Sequence, residues 1–252
     1  MQHPGIMLQH GVHGEGNVIV TVGNTKGGVG KTTLGVQLAL ARRLAGRDVL
    51  LVDADRQGSA QMAVAIRAEA GRQPELSCVQ YADGKLLRAQ VGPLAAKHDD
   101  TIIDAGGRDS EALRVALGRS DVLVVPVQPR AVDVWSLADI AELVEQVQSA
   151  RADDGRPPLK ALAVLNLADP GANPDNADAV AALAQFPQLV PLDAPIRRRK
   201  AVANAMAHGL SVFELTPRDP KAAEEFAAFC IQVFDGKEQV DGNNLACQAQ
   251  QS

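Results

Sequence analysis

The sequence KGGVGKTT at residues 26–33 decides the fold. It follows an apolar run at 17–22 that predicts a β-strand, and it precedes an apolar run at 34–44 that predicts an α-helix. Glycines let the backbone curl so that several N–H groups point at one anion, and the start of the following helix adds partial positive charge. This order of strand, glycine loop, Lys-Thr and helix is typical of loops that bind nucleotide phosphates.

Each residue of this loop therefore receives a predicted role. Lys31 is expected to reach the outer phosphates and to act in catalysis, and the hydroxyl of Thr32 is expected to bind Mg²⁺. Thr25 stands where the general motif has a small residue, usually glycine, and a second lysine, Lys26, stands at the head of the loop. The residues predicted to bind the nucleotide are Gly27, Gly28, Val29, Gly30, Lys31, Thr32 and Thr33.

The second lysine points to a particular class of these loops. The form Lys-Gly-Gly-x-Gly-Lys-Thr, which begins at Lys26, resembles the deviant P-loop of the ParA/MinD ATPases. The resemblance implies that ATP and Mg²⁺ are the cofactors. It also implies that Lys26 takes part in catalysis by crossing a dimer interface to contact the nucleotide bound to the other subunit. The motifs that carry the resemblance extend over residues 17–234.

Short apolar segments alternate with helical stretches along the chain. This alternation predicts an α/β fold, a mostly parallel twisted sheet with helices on both faces, here a P-loop NTPase of the deviant Walker A type. Functional residues of such a sheet gather at the carboxyl ends of its strands. Strands are predicted at 17–22, 48–52, 101–103, 122–127, 159–165 and 189–192, and helices at 34–44, 60–70, 109–117, 132–149, 176–184, 200–207 and 218–234.

Length and composition limit the possible classes of protein. The 252 residues, 46% of them apolar, suit one α/β domain over residues 17–236. The segments 1–16 and 237–252 are predicted to be disordered. Three widely spaced cysteines argue against a disulfide framework or a zinc site and fit a reducing cytoplasm. No signal peptide or membrane span is predicted, and the net charge of −5 restricts any contact with nucleic acid to a local patch.

Asp104 ends the apolar strand predicted at 101–103, as a Walker B aspartate should. Its predicted task is to hold Mg²⁺ opposite Thr32. The structural alternative is a helix-capping aspartate before two glycines. The residues after Asp104 lack the acidic neighbour that many ATPases use to activate water.

The run VDADRQG at 52–58 supplies the missing acidic group. It resembles the ParA-family segment whose usual form is Asp-x-Asp-Pro-Gln. The resemblance implies that Asp55 activates the attacking water and that Asp53 lies near the magnesium shell. Arg56 stands where the family usually has proline, which puts the rigidity of the loop in question. The structural alternative is a solvated pair of aspartates after a strand.

Asn166 follows the fifth predicted strand, in the sequence NLAD at 166–169. GTPases use Asn-Lys-x-Asp at this point to recognise guanine, and the lysine is absent here. The resemblance implies that Asn166 hydrogen-bonds the base of ATP. An asparagine after a strand is also an ordinary turn residue.

Four consecutive cations lie at the start of the helix predicted at 200–207. Cations at the start of a helix oppose its dipole, so helix stability does not explain them. This segment resembles the region of small ParA proteins that contacts nonspecific DNA, and the structural alternative is a solubilising basic face. Because interleaved aromatic residues are absent, sequence-specific reading of DNA is not expected. The residues predicted to bind DNA are Arg197, Arg198, Arg199 and Lys200.

The resemblance is strongest to small ParA-type ATPases that segregate plasmids or chromosomes. It implies slow ATP hydrolysis, an ATP-dependent homodimer that binds nonspecific DNA, and a ParB-type or centromere-binding adaptor that stimulates turnover. Such a protein is cytoplasmic and associates with the nucleoid in its ATP state, without contact with a membrane. The segment 1–16 is too short for the helix-turn-helix domain of larger ParA proteins, so operator binding is not expected.

Three alternatives remain open at this stage. The first stays within the family, as a positioning ATPase for a conjugation apparatus or a protein cluster. The second is a MinD-like membrane switch, against which the polar segment 236–252 counts because it lacks an amphipathic face. The third is a metabolic or redox enzyme of the same fold, and no cysteine near Asp104 supports an iron-sulfur member of that group.

Overall fold

A parallel sheet organises the fold. The computed structural model describes residues 17–107, 110–129, 134–171 and 173–234. The strands within these ranges are β1 (Val18–Val22), β2 (Val49–Ala54), β3 (Ser77–Gln80), β4 (Asp100–Ala105), β5 (Val122–Val127), β6 (Lys160–Ala168), β7 (Val190–Pro191) and β8 (Ile196–Arg197). Their order is β3-β2-β4-β1-β5-β6-β7, with β8 pairing with β6, and every pair is parallel.

Helices connect these strands and cover both faces of the sheet. The helices are α1 (Lys31–Leu44), α2 (Ser59–Glu69), α3 (Gly84–Ala95), α4 (Glu111–Arg119), α5 (Val134–Asp153), α6 (Pro174–Leu183), α7 (Lys200–Ala207) and α8 (Pro220–Phe234), and a short 3₁₀ helix is Val212–Glu214. Apolar side chains of α1, α2, α7 and α8 form one core against the sheet, and those of α3 to α6 pack on the opposite face.

The architecture confirms the predicted class of fold. All six predicted strands are present, and strands β2, β4 and β5 are buried along their whole length. Buried strands of this kind are expected when helices cover both faces of a parallel sheet. The apolar stripe of the last helix is core packing, as predicted, and the rings of Phe226 and Phe229 meet edge-to-face with centroids 6.2 Å apart.

The sequence pattern missed strands β3 and β8, helix α3 and the short 3₁₀ helix. Strand β3 lies at the edge of the sheet, is only four residues long, and has no buried side chain. Strand β8 contains only two residues. Helix α3 contains Pro93 and is capped at its start by Asp83, whose carboxylate accepts hydrogen bonds from the N–H groups of Lys85 and Leu86. Short elements and a helix with an internal proline lack a clear periodicity of apolar residues, so the sequence pattern did not predict them.

Some predictions fall on residues that the structure does not describe. They concern the disorder predicted for 1–16 and 237–252, the last two residues of the predicted domain, and the first residues of the helices predicted from 109 and 132. None of the helices in the described ranges combines the length and the apolar character that crossing a bilayer requires.

Candidate nucleotide-binding site

The glycine loop lies at the carboxyl end of the central strand β1 and leads directly into α1. Gly28 and Gly30 have φ angles of 75° and 89°, in the left-handed region that favours glycine. Gly30 caps α1 without a side-chain hydrogen bond, and the first turn of the helix holds no acidic residue. The backbone N–H groups at this helix start are therefore available to an anion.

Asn24 fixes the start of the loop to the neighbouring strand. Its side-chain nitrogen donates to the carbonyl of Pro126 in β5 at 2.9 Å, and its Oδ1 accepts from the backbone N–H of Lys26 at 3.0 Å. Thr25, the departure from the general motif, donates through its hydroxyl to the carbonyl of Ser136 in α5 at 3.3 Å. The sequence analysis assigned no role to Asn24, although asparagine directly after a strand is a known sign of a turn.

Lys31 is held inside the loop. It is 8% exposed, and its Nζ donates to the carbonyl of Lys26 at 2.8 Å. Burial lowers the pKa of Lys31, and the nearby carboxylates of Asp104 and Asp55 oppose this effect. A Cβ atom on Gly107 would lie 3.3 Å from Nζ, so this glycine, two residues after the end of β4, packs closely against the lysine. The glycine at this position keeps the space beside the amine clear.

Asp104 is a buried carboxylate beside this lysine. It pairs in register with Val22 at the end of β1 and with Asp53 at the end of β2, as its predicted place requires. It is 1% exposed, and neither carboxylate oxygen has a hydrogen bond of ordinary geometry. Burial raises the pKa of Asp104 to about 7, while the hydroxyl of Thr32 and the charge of Lys31 lower it and the charges of Asp53 and Asp55 raise it.

Asp53 has a structural task in this arrangement. Its Oδ1 accepts from the N–H of Asp55 at 3.1 Å, and its Oδ2 accepts from the N–H of Gln61 at 2.9 Å. The carboxylate therefore supports the loop after β2 and the first turn of α2. Its predicted place near magnesium stays a prediction, because these bonds already use one lone pair on each oxygen.

Asp55 lies at the mouth of the site and is half-buried. Its Oδ1 accepts from the N–H of Gln57 at 3.0 Å. A Cβ atom on Gly106 would lie 3.3 Å from its Cγ and Oδ2, so the glycine after β4 gives the carboxylate its space. Arg56 is exposed beside it. The structure thus brings together Lys31, Asp53, Asp55 and Asp104 at one edge of the sheet, and their predicted roles stay predictions.

Asn166 packs against the back of the glycine loop. It is buried, and its side-chain nitrogen donates to the carbonyl of Val29 at 2.7 Å. A Cβ atom on Gly30 would lie only 2.3 Å from that nitrogen. The next residue, Leu167, has a φ of 56°, a strained value for a leucine. The structure gives Asn166 a partner within the loop, and its predicted contact with a base stays a prediction.

The close approach of Gly30 and Asn166 leads to a testable prediction. We expect Gly30→Ala to destabilise the protein by about 1–3 kcal/mol more than Gly46→Ala, because Asn166 must move and leave the carbonyl of Val29 unpaired. Gly46 is a matched control, since its φ of 87° equals that of Gly30 within a few degrees and no atom lies within 4 Å of its added Cβ. Urea unfolding of both variants measures the difference, and equal losses of stability would contradict the prediction.

The predicted DNA-binding residues lie at β8 and the start of α7. Arg198 and Lys200 are exposed. Arg197 and Arg199 instead share one acidic partner, Glu225 in α8, at shortest N–O distances of 2.8 and 2.7 Å. Glu225 could not be predicted as a partner from the sequence, because 26 residues separate it from Arg199. Nothing in the local sequence indicates that the two residues meet.

A further cavity of about 690 Å³ lies between α3, α4 and α5, beside the carboxyl ends of α4 and α5. Arg151 donates to the carbonyls of Ser120 and Pro157, and Arg156 donates to that of Gly118. Side chains of this kind satisfy the carbonyls that helix ends leave free. The arginines that line this cavity are Arg88, Arg114, Arg119, Arg151 and Arg156.

The comparison with protein families agrees with this geometry. The model of the CobQ/CobB/MinD/ParA nucleotide binding domain matches residues 20–212, which include the glycine loop, the aspartates and the basic segment. The chain belongs to this family. The predicted resemblance to ParA/MinD ATPases is therefore confirmed.

Curated relatives of this ParA/MinD chain include proteins of two kinds. The "Maintenance of carboxysome distribution protein A" of Halothiobacillus neapolitanus is 32% identical over 85% of this chain and 95% of its own length. The "Chromosome-partitioning ATPase Soj" of Thermus thermophilus is 32% identical over 58% of this chain and 67% of its own length.

Solved structures share the fold of this ParA/MinD chain. The ATP complex of a Cyanothece McdA variant superposes with a TM-score of 0.67 at 18% identity, over 86% of this chain and 95% of its own. The Mg-ADP complex of the septum site-determining protein MinD from Pyrococcus horikoshii superposes with a TM-score of 0.65 at 18% identity, over 90% and 99%. At these identities the likeness concerns the fold alone.

Proposed function

We propose that this ParA/MinD-family protein is a Mg²⁺-dependent ATPase whose ATP-bound dimer binds nonspecific DNA and positions a cellular cargo through an adaptor protein. The observation that carries the proposal is the pairing of a buried lysine, Lys31, with Asp104, a buried carboxylate whose oxygens have no hydrogen bond of ordinary geometry, at an uncapped helix start. Burying either charged group without a partner destabilises the folded state. Together, the amine suits a phosphate and the carboxylate suits its metal ion.

The residues of the site fit Mg-ATP. Protein sites for Mg²⁺ commonly supply one or two oxygen ligands and leave the rest to water and phosphate. Asp104 and the hydroxyl of Thr32 are the groups that would hold the ion, which when bound neutralises phosphate charge. The N–H groups of residues 27–33 and the amine of Lys31 would bind the phosphates. Relatives with magnesium and nucleotide in their solved structures support this assignment.

Hydrolysis requires a group that orients water at the γ-phosphate. Asp55 is half-buried at the mouth of the site, and the charge of its carboxylate raises the pKa of the Lys31 amine, against the larger effect of burial. We assign it the role of positioning the water and accepting its proton. The intrinsic rate is proposed to be slow and to rise when an adaptor protein binds.

DNA binding is assigned to the exposed cations at the start of α7. Arg198 and Lys200 project from a segment that sits at the carboxyl end of the sheet, beside the strand that contacts the glycine loop. Phosphate contacts by such side chains carry no sequence preference and weaken as salt rises. The ATP-bound dimer would therefore associate with the nucleoid.

Two classes of cargo fit a positioning ATPase. The carboxysome-distribution relatives match 85% and 82% of this chain, while the chromosome-partitioning relative from Thermus thermophilus matches 58%. This difference in coverage favours a protein assembly as the cargo, which is the alternative within the family that the sequence left open. Partition of a plasmid or chromosome with a ParB-type partner is the second candidate, supported by that shorter match.

Binding of ATP tests the core of the proposal. We expect Lys31→Ala to weaken the binding of Mg-ATP at least about tenfold, because charge-assisted hydrogen bonds to phosphate contribute about 1.5–3 kcal/mol. Equilibrium binding of a fluorescent ATP analogue with Mg²⁺ measures the loss. Lys85→Ala removes an exposed lysine in α3 and serves as the control. Equal affinity in Lys31→Ala and wild type would contradict the assignment of the site.

A further inference from the structure

Glu225 of α8 holds two of the four cations in the basic segment. It accepts from Arg199 through Nε at 3.0 Å and Nη2 at 2.7 Å. It also accepts from Arg197 through Nη1 at 2.8 Å and through the backbone N–H at 3.2 Å. The Glu225 side chain is 11% exposed, so both arginines meet it in a partly dehydrated position.

The geometry of this cluster copies the way in which arginine binds phosphate. Arg199 presents two N–H groups of its guanidinium fork to the two oxygens of one carboxylate, and arginine binds phosphate through the same fork. The same N–H groups cannot serve a carboxylate and a DNA phosphate together. Burial alone would raise the pKa of Glu225, but the hydrogen bonds from Arg199 and Arg197 outweigh it, so the pKa lies below its ordinary value. The carboxylate is therefore charged at neutral pH.

We infer that Glu225 acts as an internal competitor for DNA phosphate, which withholds Arg197 and Arg199 and leaves Arg198 and Lys200 as the DNA-contacting cations. The inference rests on the DNA binding proposed above, and it names Glu225 as a residue that sets the affinity for DNA. Glu225 lowers the number of phosphate contacts, and with it the affinity for DNA and its dependence on salt. A weakened contact suits a protein that must leave DNA after each cycle of hydrolysis.

The position of the cluster supports a regulatory role rather than a purely structural one. Arg197 pairs with Ala168 of β6, and the N–H of Arg198 donates to the carbonyl of Ala168 at 3.1 Å. Two residues earlier in the same strand, Asn166 binds the carbonyl of Val29 in the glycine loop. The carboxylate of Glu225 therefore binds a segment that is hydrogen-bonded to β6, the same strand that contacts the glycine loop.

The salt dependence of DNA binding tests this inference. We expect Glu225→Gln to bind nonspecific duplex DNA several-fold more tightly than wild type in the presence of Mg-ATP. Its plot of log affinity against log salt should be steeper by at least about 1, because each additional phosphate contact adds about 0.9 to the slope. Fluorescence anisotropy with a labelled duplex across a salt series measures both quantities.

Glu224→Gln is the matched control. Glu224 is exposed, neighbours Glu225 on the same helix, and influences Arg199 only through its charge. The same loss of charge without release of the arginines should leave the slope at the wild-type value. Glu225→Asp keeps the charge but shortens the side chain, and should give an intermediate slope. It keeps the inference testable if Glu225→Gln does not fold, as judged by thermal unfolding.

The outcomes separate this inference from the proposed function. A steeper slope in Glu225→Gln and an unchanged slope in Glu224→Gln support the competition. Wild-type binding with equal slopes in all variants would overturn the role of Glu225 and leave the DNA-binding function intact. Failure of wild type and every variant to bind DNA with ATP would remove the proposed DNA binding, and the inference with it.

Discussion

Lys26→Ala is expected to abolish the ATP-dependent dimer while leaving ATP binding largely intact. In a symmetric dimer each lysine contacts the nucleotide of the opposite subunit, so one substitution removes two contacts. Charge-assisted hydrogen bonds of about 1.5–3 kcal/mol each give a combined loss of about 3–6 kcal/mol. The dissociation constant of the dimer should therefore rise by at least about a hundredfold. Light scattering with ATP, ADP and no nucleotide measures the effect.

The structure makes Lys26 a suitable residue for this test. It is half-buried at the head of the loop, and its carbonyl, rather than its side chain, holds the amine of Lys31. The substitution to alanine keeps that carbonyl, so the loop retains its internal bond. Lys85→Ala is the control for a general loss of charge. A dimer that persists with ATP in Lys26→Ala would refute the predicted contact between subunits.

Asp55→Ala is expected to lower the rate of ATP hydrolysis by about a hundredfold or more, because a group that positions and deprotonates water contributes that much to a reaction. ATP binding should survive, since Asp55 lies at the mouth of the site while Lys31 and Asp104 lie buried behind it. The variant should therefore remain as an ATP-bound dimer and stay on DNA longer than wild type. Phosphate release and dissociation from a DNA-coated surface measure the two effects.

A second aspartate provides the control for this experiment. Asp178 is exposed on α6, and its replacement by alanine removes the same charge from a helix outside the glycine loop. Its rate of hydrolysis should equal that of wild type. Normal turnover in Asp55→Ala would remove this carboxylate from the mechanism, and loss of ATP binding in the same variant would show that it supports the loop instead.

The main elements of the fold could be predicted because buried parallel strands are continuous apolar runs. The strand before the glycine loop and the strand before Asp104 were both found in this way. Strand β3 could not be found, because an edge strand with exposed side chains lacks that pattern. The two residues of β8 pair with β6 through contacts that depend on the completed sheet. Periodicity along the chain does not encode such contacts.

The same distinction applies to the candidate site: positions at strand ends could be predicted, and contacts between distant segments could not. Asp104 and Asp53 were located correctly at neighbouring strand ends, because a parallel sheet gathers its carboxyl ends at one edge. The bond between Asn166 and Val29 depends on the missing Cβ of Gly30, which matters only once β6 and the loop meet. The capture of Arg197 and Arg199 by Glu225 likewise arises from the packing of α8. Under the proposed competition, a linear run of cations overstates the charge that is available to DNA.

Retention on nonspecific duplex DNA with ATP, with ADP and without nucleotide, across a salt series, tests the central claim most directly. We predict retention with ATP alone, weakening as salt rises, and loss of most retention when Arg198 and Lys200 are both replaced by alanine. Equal retention in all three nucleotide states, or none in any of them, would contradict the account of this protein as an ATP-controlled DNA-binding switch.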